Sequence, residues 1–338
     1  MTGKIIKAIA GFYYVHTESG KVYACRARGL FRKEGVKPLV GDNVRIEVLS
    51  EGSEGESGAA GAVRYGHDKE EADASGYEQK SMDSTGTGRS ADLTGGAEGS
   101  VVALLPRKNA LIRPAVANID QALVVFAVRE PDPNLNLLDR FLITMERQGI
   151  PVVICFSKTD LDQDGLLQHD KAIYESAGYQ VIGCSAGSET GLFEVRAALL
   201  KKTTVLAGPS GVGKSSLTNL IHGSAHMEVG ALSRKIRRGK QTTRHTELIA
   251  LDMPDTYLLD TPGFTSLALP GLKPEDVKDY FPEFVRPGLR CRFSGCMHIS
   301  EPEDGCVVKQ AVREGLIFRE RYETYLQIVK EQKELMRK

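Results

Sequence analysis

TTVLAGPSGVGKSS, residues 203–216, decides the fold of this chain. Its first five residues are a β-prone apolar run. The next nine, Gly208, Pro209, Ser210, Gly211, Val212, Gly213, Lys214, Ser215 and Ser216, fit G-x-x-x-x-G-K-[ST]. The glycines let backbone N–H groups close around phosphate oxygens, Lys214 reaches the β- and γ-phosphates, and Ser215 offers a hydroxyl to Mg²⁺. A phosphate loop between a strand and a helix implies a nucleoside triphosphate on an α/β sheet. It does not name the base.

Downstream, DTPG (Asp260 to Gly263) ends the apolar strand TYLLD (256–260). Asp260 is placed to hold the Mg²⁺ shell, and the Gly263 N–H to contact the γ-phosphate. Between the two motifs lies RRGKQTTRHTEL (237–248), polar and aperiodic, which reads as a switch loop whose Thr242 and Thr243 reach Mg²⁺ and γ-phosphate. Upstream, Ser157, Lys158, Thr159 and Asp160 end the strand PVVICF (151–156). A carboxylate there can accept from N1–H and the 2-amino group of guanine, with the Lys158 stem over the base. Ser185 and Ala186 follow the strand QVIG (180–183), where a backbone N–H can meet the guanine O6. Each signal is weak alone, since K-x-D is common on surfaces; together, at adjacent strand ends, they point to guanine. Most GTPases place the phosphate loop first and the guanine motifs last. Here the order is reversed, as in a circularly permuted chain.

The wider texture agrees. ALVVFAV (122–128) reads as a buried strand, and Leu138, Phe141, Leu142 and Met145 fall at helical spacing. Strands alternating with helices imply a mostly parallel sheet, with ligands beyond the carboxyl ends of its strands. Residues 1–50 instead read as short strands with turns (Lys4–Thr17, Lys21–Gly29, Asn43–Leu49), and the pattern resumes only at SVVALL (100–105). We read a five-stranded barrel of the oligonucleotide-binding type over 1–110, with a disordered acidic insertion at about 51–99 before its last strand. The permuted α/β domain spans 111–270. A mainly helical region spans 271–338, closing in a helix whose apolar stripe is Phe318, Tyr322, Tyr325 and Val329.

The formal net charge of zero over 338 residues conceals an asymmetry. Residues 51–99 carry eleven Asp/Glu against four Lys/Arg, while residues 1–50 carry nine Lys/Arg against four Asp/Glu. The barrel therefore has basic residues, such as Lys4, Lys7, Arg26, Arg28, Arg32 and Lys33, that suit RNA. A merely solvated charged face is the alternative. No run approaches the roughly 20 apolar residues of a membrane helix, which with the absence of a signal core implies a cytosolic protein away from membranes. Of six cysteines, three cluster with a histidine in C-x4-C-x-H-x7-C: Cys291, Cys296, His298 and Cys306. Three thiolates and an imidazole suit one tetrahedral structural Zn²⁺ per chain; reduced thiols beside a surface histidine are the alternative.

VGDNV, PRKNALIRPAVANIDQ, GPSGVGKSSL, GKQTTRH, DTPGF and CRFSGCMH…EP together make the chain resemble, over essentially its whole length, the circularly permuted, ribosome small-subunit-dependent GTPase A family of bacteria. The resemblance implies Mg²⁺-dependent GTP hydrolysis stimulated by the small ribosomal subunit, contact with its rRNA, and a role in late subunit maturation. Ser157 stands where the family usually has Asn, and Gln241 where a switch histidine is usual. Gln241 can orient water, and His245 stands nearby, so Lys214, Gln241, Thr243 and His245 form the expected catalytic set. His298 and Cys306 are separated by seven residues rather than the usual five, Phe264 follows DTPG where many GTPases carry their water-positioning Gln, and the acidic insertion is not accounted for by the family pattern. We expect a monomer. A guanylate-kinase-like phosphotransferase would leave SKTD and DTPG without a role, and a non-enzymatic RNA chaperone would not need Lys214, Ser215 and Asp260.

Overall fold

The computed structural model describes residues 1–29, 31, 35–52, 94, 96–111, 115–222, 246–260 and 268–337, with the backbone alone at Asp260. It contains two compact units, Met1–Arg107 and Lys108–Lys338.

In the first unit, strands β1 (Thr2–Ile9), β2 (Phe12–Thr17), β3 (Val22–Ala27), β4 (Asn43–Glu51) and β5 (Ala97–Leu104) close in the order β1-β2-β3-β5-β4, with β4 returning to β1. Alternation along each strand sends Ile5, Val15, Tyr23, Cys25, Val44, Ile46 and Val101 inward, where all are buried. The expected barrel is present, but β5 begins at Ala97 rather than Ser100. The reason is local: a Cβ on Gly99 would lie 3.0 Å from Cys25 Sγ and 3.1 Å from the Glu47 carbonyl, so a larger residue would press β3 and β4 apart by a few tenths of an ångström. A small residue required by close packing reads as loop in a sequence. The body of the acidic insertion, residues 53–93 and 95, and the disorder expected of it lie outside the described residues. Asp42, fully buried, accepts from Arg107 through Nε (2.6 Å) and Nη2 (2.8 Å) and from the Leu39 N–H (2.7 Å). This bidentate pair joins VGDNV to PRKN, two stretches 65 residues apart.

The second unit opens with a short hairpin, β6 (Ala110–Leu111) and β7 (Val116–Ala117). Then follow β8 (Gln121–Ala127), α1 (Leu135–Glu146), β9 (Val152–Ser157), α2 (Leu166–Ser176), β10 (Gln180–Gly183), α3 (Leu192–Leu199), β11 (Thr203–Ala207), α4 (Lys214–His222), β12 (Leu248–Ala250) and β13 (Tyr257–Asp260). The sheet order is β10-β9-β8-β11-β13-β12, parallel except for β12, which pairs antiparallel with β13 at one edge. Every residue of β8 is buried, as a central parallel strand covered on both faces requires. Asn134 caps α1, its Oδ1 accepting from the Leu137 N–H at 3.0 Å, and the four predicted core positions of α1 are all buried.

Beyond the sheet, a 3₁₀ turn (Pro274–Tyr280), α5 (Pro282–Gly288), α6 (Val307–Arg313) and α7 (Arg319–Leu335) pack around Phe281, Phe284 and Tyr325. The ring centroids of Phe284 and Tyr325 are 5.2 Å apart, edge to face. The stripe predicted for α7 is partly displaced. Tyr325 and Val329 are buried, but so are Arg321, Thr324, Ile328 and Gln332, while Tyr322 and Phe318 are only half-buried. The face turns because Arg321 is drawn inward. Its Nη1 donates to Asp139 of α1, its Nε to Glu283 of α5 (2.7 Å), and its guanidinium lies 4.6 Å from the Phe281 ring centroid. The Tyr174 hydroxyl donates to the same Asp139 oxygen at 3.0 Å. Among the described residues, no helix is long and apolar enough to cross a membrane.

Candidate functional site

The carboxyl ends of the parallel strands collect the sequence motifs at one edge. Leu206 pairs with Asp260, Ala127 with Ser157, and Gly183 with Phe156, so the phosphate loop after β11, Asp260 at the end of β13 and both guanine motifs at the ends of β9 and β10 lie on the same side of the sheet, with β8 between the two groups. Gly208 turns the chain out of β11 at φ +138°, and a Cβ there would lie 2.1 Å from the Val125 carbonyl oxygen. Only glycine permits that passage. Val212 anchors the loop in the core, and Gly213 leads into α4, whose first residue is Lys214. The Lys214 ammonium donates to the carbonyls of Gly208 (2.8 Å) and Pro209 (2.5 Å), which holds it over the loop. Ser215 and Ser216 follow in the first turn of α4, half-exposed.

Ser157 does something the sequence did not suggest. It is buried, and its hydroxyl lies 2.5 Å from the Val212 carbonyl and 3.2 Å from that of Phe126. A hydroxyl carries one proton, so the shorter contact takes it, and the end of β9 is tied to the middle of the phosphate loop. Lys158 adopts a left-handed conformation (φ +57°), and its ammonium donates to the Glu130 carbonyl. Asp160 accepts from the Ser185 hydroxyl, which itself accepts from the N–H groups of Gly187 (3.1 Å) and Ser188 (3.2 Å). The Thr159 N–H donates to the Cys184 carbonyl at 3.2 Å, and the Cys184 N–H to the Phe156 carbonyl at 2.8 Å. The two guanine motifs are therefore one hydrogen-bonded unit, with Ala186 in the turn beyond Ser185. Beneath them the thiols of Cys155 and Cys184 lie 3.3 Å apart, both fully buried. Gln241, Thr242, Thr243, His245 and Gly263 lie outside the described residues.

Cys291, Cys296, His298 and Cys306 come together as a set, their ligand atoms all within 4.8 Å of one another. His298 Nδ1 is 3.4 Å from Cys306 Sγ and 3.7 Å from Cys291 Sγ. Tetrahedral bonds of about 2.0 Å to nitrogen and 2.3 Å to sulfur separate neighbouring ligands by comparable distances, so the donor set fits Zn²⁺. Burial, with Lys278 nearby, pushes the His298 pKa down to about 4, which keeps the imidazole neutral and able to coordinate. Burial pushes the Cys296 thiol up to about 12, an environment that a bound cation would invert. The loop carrying the histidine is braced from outside. Glu301 accepts from the Met297 (2.7 Å) and Ile299 (2.8 Å) N–H groups, and the Tyr322 hydroxyl donates to the His298 carbonyl at 2.6 Å. The sequence assigns neither residue a role at this cluster, Glu301 standing only in the EP of the family stretch and Tyr322 only in an apolar stripe; an acid three residues after the histidine is the signal for the first.

Comparison with known proteins bears on both sites. Residues 104–270 match the family described as RsgA GTPase, and residues 2–55 match the RsgA N-terminal domain. The chain is 46% identical over 343 residues to the small ribosomal subunit biogenesis GTPase RsgA of Agathobacter rectalis, covering 98% of each. It is 43% identical to the protein of that name from Alkaliphilus metalliredigens, covering 97% of each. Among solved structures it is similar to YloQ, a circularly permuted GTPase (34% identity, TM-score 0.69, 98% of this chain and 95% of that one). It is also similar to YjeQ from Thermotoga maritima (30% identity, TM-score 0.69, 98% of each). The guanylate-kinase-like and chaperone alternatives are not favoured by these likenesses.

Proposed function

Because the chain belongs to the RsgA GTPase family, we propose that it hydrolyses GTP to GDP and phosphate in the biogenesis of the small ribosomal subunit. The observation that carries this reading is the Ser157 hydroxyl bound to the Val212 carbonyl, which ties the base-reading and phosphate-holding segments into one site. Asp160, oriented by Ser185, accepts from guanine; Lys158 and Ala186 complete base recognition. Gly208 to Ser216 wrap the phosphates, and the Lys214 ammonium offsets charge that spreads over the phosphoryl oxygens. The hydroxyls of Ser215 and Thr243 and the Asp260 carboxylate are oxygen donors of the kind Mg²⁺ takes. When bound, Mg²⁺ neutralises the β- and γ-oxygens. Water, oriented by Gln241 or His245, adds to the γ-phosphorus as the bond to the bridging oxygen breaks. That oxygen leaves with its electron pair on GDP, and the water proton passes to the released phosphate.

The barrel (1–110) faces rRNA through its basic residues, the permuted domain (111–270) turns over GTP, and the region 271–338 holds one structural Zn²⁺ on Cys291, Cys296, His298 and Cys306. The protein works in the cytoplasm as a monomer that docks on the subunit. The test is phosphate release from GTP, and from ATP, with and without purified small ribosomal subunits. GTP turnover should rise with subunits and ATP turnover should not. A rate with subunits no higher than that of Lys214→Ala would overturn the reading.

A further inference from the structure

We infer that Arg129 is a positioning residue for the guanine nucleotide, acting through Lys158. The inference rests on the reading of Lys158 as the cover of the base, and adds what sets that cover. Arg129 stands in the turn that leads from β8 into α1, and the turn is fixed at both ends. At one end the Val128 N–H donates to the Ser157 carbonyl at 3.0 Å. At the other, Asn134 caps α1. Between those ends the turn touches three parts of the site. The Glu130 carbonyl accepts from the Lys158 ammonium. Pro131 stands beside the phosphate loop, its Cδ 3.9 Å from where a Cβ on Gly211 would lie. The Arg129 guanidinium donates to Asp164, four residues beyond Asp160, and lies 3.8 Å from Asp132.

Glu130 and Lys158 both take the left-handed conformation without being glycine, at φ +55° and +57°. Residues keep that conformation only where their surroundings hold them. The Glu130 side chain is exposed, and its carbonyl is what the site uses. Arg129 is half-buried and reaches across to the loop that follows the base motif. The ion pair thus ties the turn before α1 to the loop before α2, and Lys158 is held between them. A lysine side chain has many rotamers, and a ligand that needs one of them must freeze the rest. Here the ammonium already rests on a main-chain acceptor, so the stem is ordered before the base arrives. Without Arg129 the acceptor can shift, and the stem loses its anchor. A cation directed at the phosphates would favour triphosphate over diphosphate; the Arg129 guanidinium is instead engaged by Asp164 and Asp132.

The experiment uses the full chain and measures GDP and GTP affinity by displacement of a fluorescent GDP analogue. The variants are Arg129→Ala, Asp164→Asn, Lys158→Ala and the double substitutions that combine Arg129→Ala with each of the others. Arg129→Ala should weaken both nucleotides by about threefold, the scale of an exposed ion pair, with the thermal midpoint unchanged. Asp164→Asn should cause the same loss, and the two together no more than one alone. In the Lys158→Ala background, Arg129→Ala should cost nothing further. The lysine stem meets the face of the base and not its edge, so inosine diphosphate, which lacks only the 2-amino group, should lose as much as GDP. An equal loss with and without Lys158 would overturn the proposal, since the arginine would then act on the fold at large. Additive losses from Arg129→Ala and Asp164→Asn would overturn the ion pair as the cause. A loss on GTP alone would overturn it too, by placing the guanidinium on the γ-phosphate. If the parent prefers GDP to ADP but Arg129→Ala binds like the parent, only the positioning role falls. If the parent binds ADP as tightly as GDP, the base-reading role of Lys158 and Asp160 is what fails.

Discussion

At the nucleotide-facing edge of the sheet the working groups are held by main chain. Lys214 rests on two carbonyls, Ser157 on a third, and Asp160 is aligned by a serine whose hydroxyl is itself fixed by two N–H groups. At the cysteine–histidine cluster, by contrast, four side chains converge from loops and 3₁₀ turns, and backbone bonds only brace the surroundings. The first arrangement follows from the sheet, whose strand ends and loops supply the partners. The second gathers three thiols and an imidazole, all but Cys291 buried, in a set that fits a cation. With the proposed Zn²⁺ bound, the same chain contains one site that the fold creates and one that helps to create the fold.

The sharpest way to break that contrast is to remove the proposed Zn²⁺. Apparent zinc-binding energies in small structural sites are of order 10–16 kcal/mol, so chelation, or Cys306→Ala, should unfold residues 271–338 while leaving the sheet intact. Limited proteolysis with metal analysis reads this, and an intact C-terminal region at zero zinc content would erase the distinction. The next effect lies at the junction. Arg321→Met leaves Asp139 and Glu283 facing an apolar side chain, and breaking a buried pair from one side costs about 3–5 kcal/mol. Urea unfolding should register that loss; a shift of the midpoint within error would mean that Arg321 is not the tie between α1 and the C-terminal helices. Lys214→Ala should do the opposite kind of damage, lowering turnover by about 10²–10³-fold with the thermal midpoint unchanged. Coincident loss of stability would show that the lysine also holds the loop. Smallest is Ser157→Ala. One net hydrogen bond of about 1 kcal/mol predicts GDP affinity down about fivefold and the zinc region untouched, with Ser157→Asn recovering it. Calorimetric titration decides, and no change at all would leave the Val212 contact without energetic weight.

The same contrast explains what could be read in advance. A phosphate loop is a local device: glycines, a lysine and a hydroxyl within nine residues, between a strand and a helix that both show in the pattern. The cysteine–histidine set is equally visible, because cysteine is scarce and its spacing short. What escaped notice was long-range. Asp139, Arg321 and Glu283 each look like ordinary charge on an amphipathic helix, and nothing local says that three helices will turn them toward one another. Ser157 reads as part of the base motif, standing where the family usually has Asn, and only the fold brings Val212, 55 residues away, to its hydroxyl. The parallel pairing of β3 with β5 was equally invisible, since alternation reports which face is buried and not which strand is the neighbour.

Glu51 pairs with Ala97, and Gly52 and Gly96 stand almost in contact just beyond them, with 3.9 Å between the Gly52 Cα and the position of a Cβ on Gly96. The 45 residues from 52 to 96 therefore depart and return at neighbouring points of one hairpin. Each doubling of loop length costs only about 0.6 kcal/mol, so a connection of this size is about 2 kcal/mol dearer to close than a four-residue turn. Chain length at this point is close to a free variable. For an engineer it is a splice port: a reporter domain whose termini lie side by side can be grafted between Gly52 and Gly96, or the stretch cut to a tight turn, with every barrel strand kept in register.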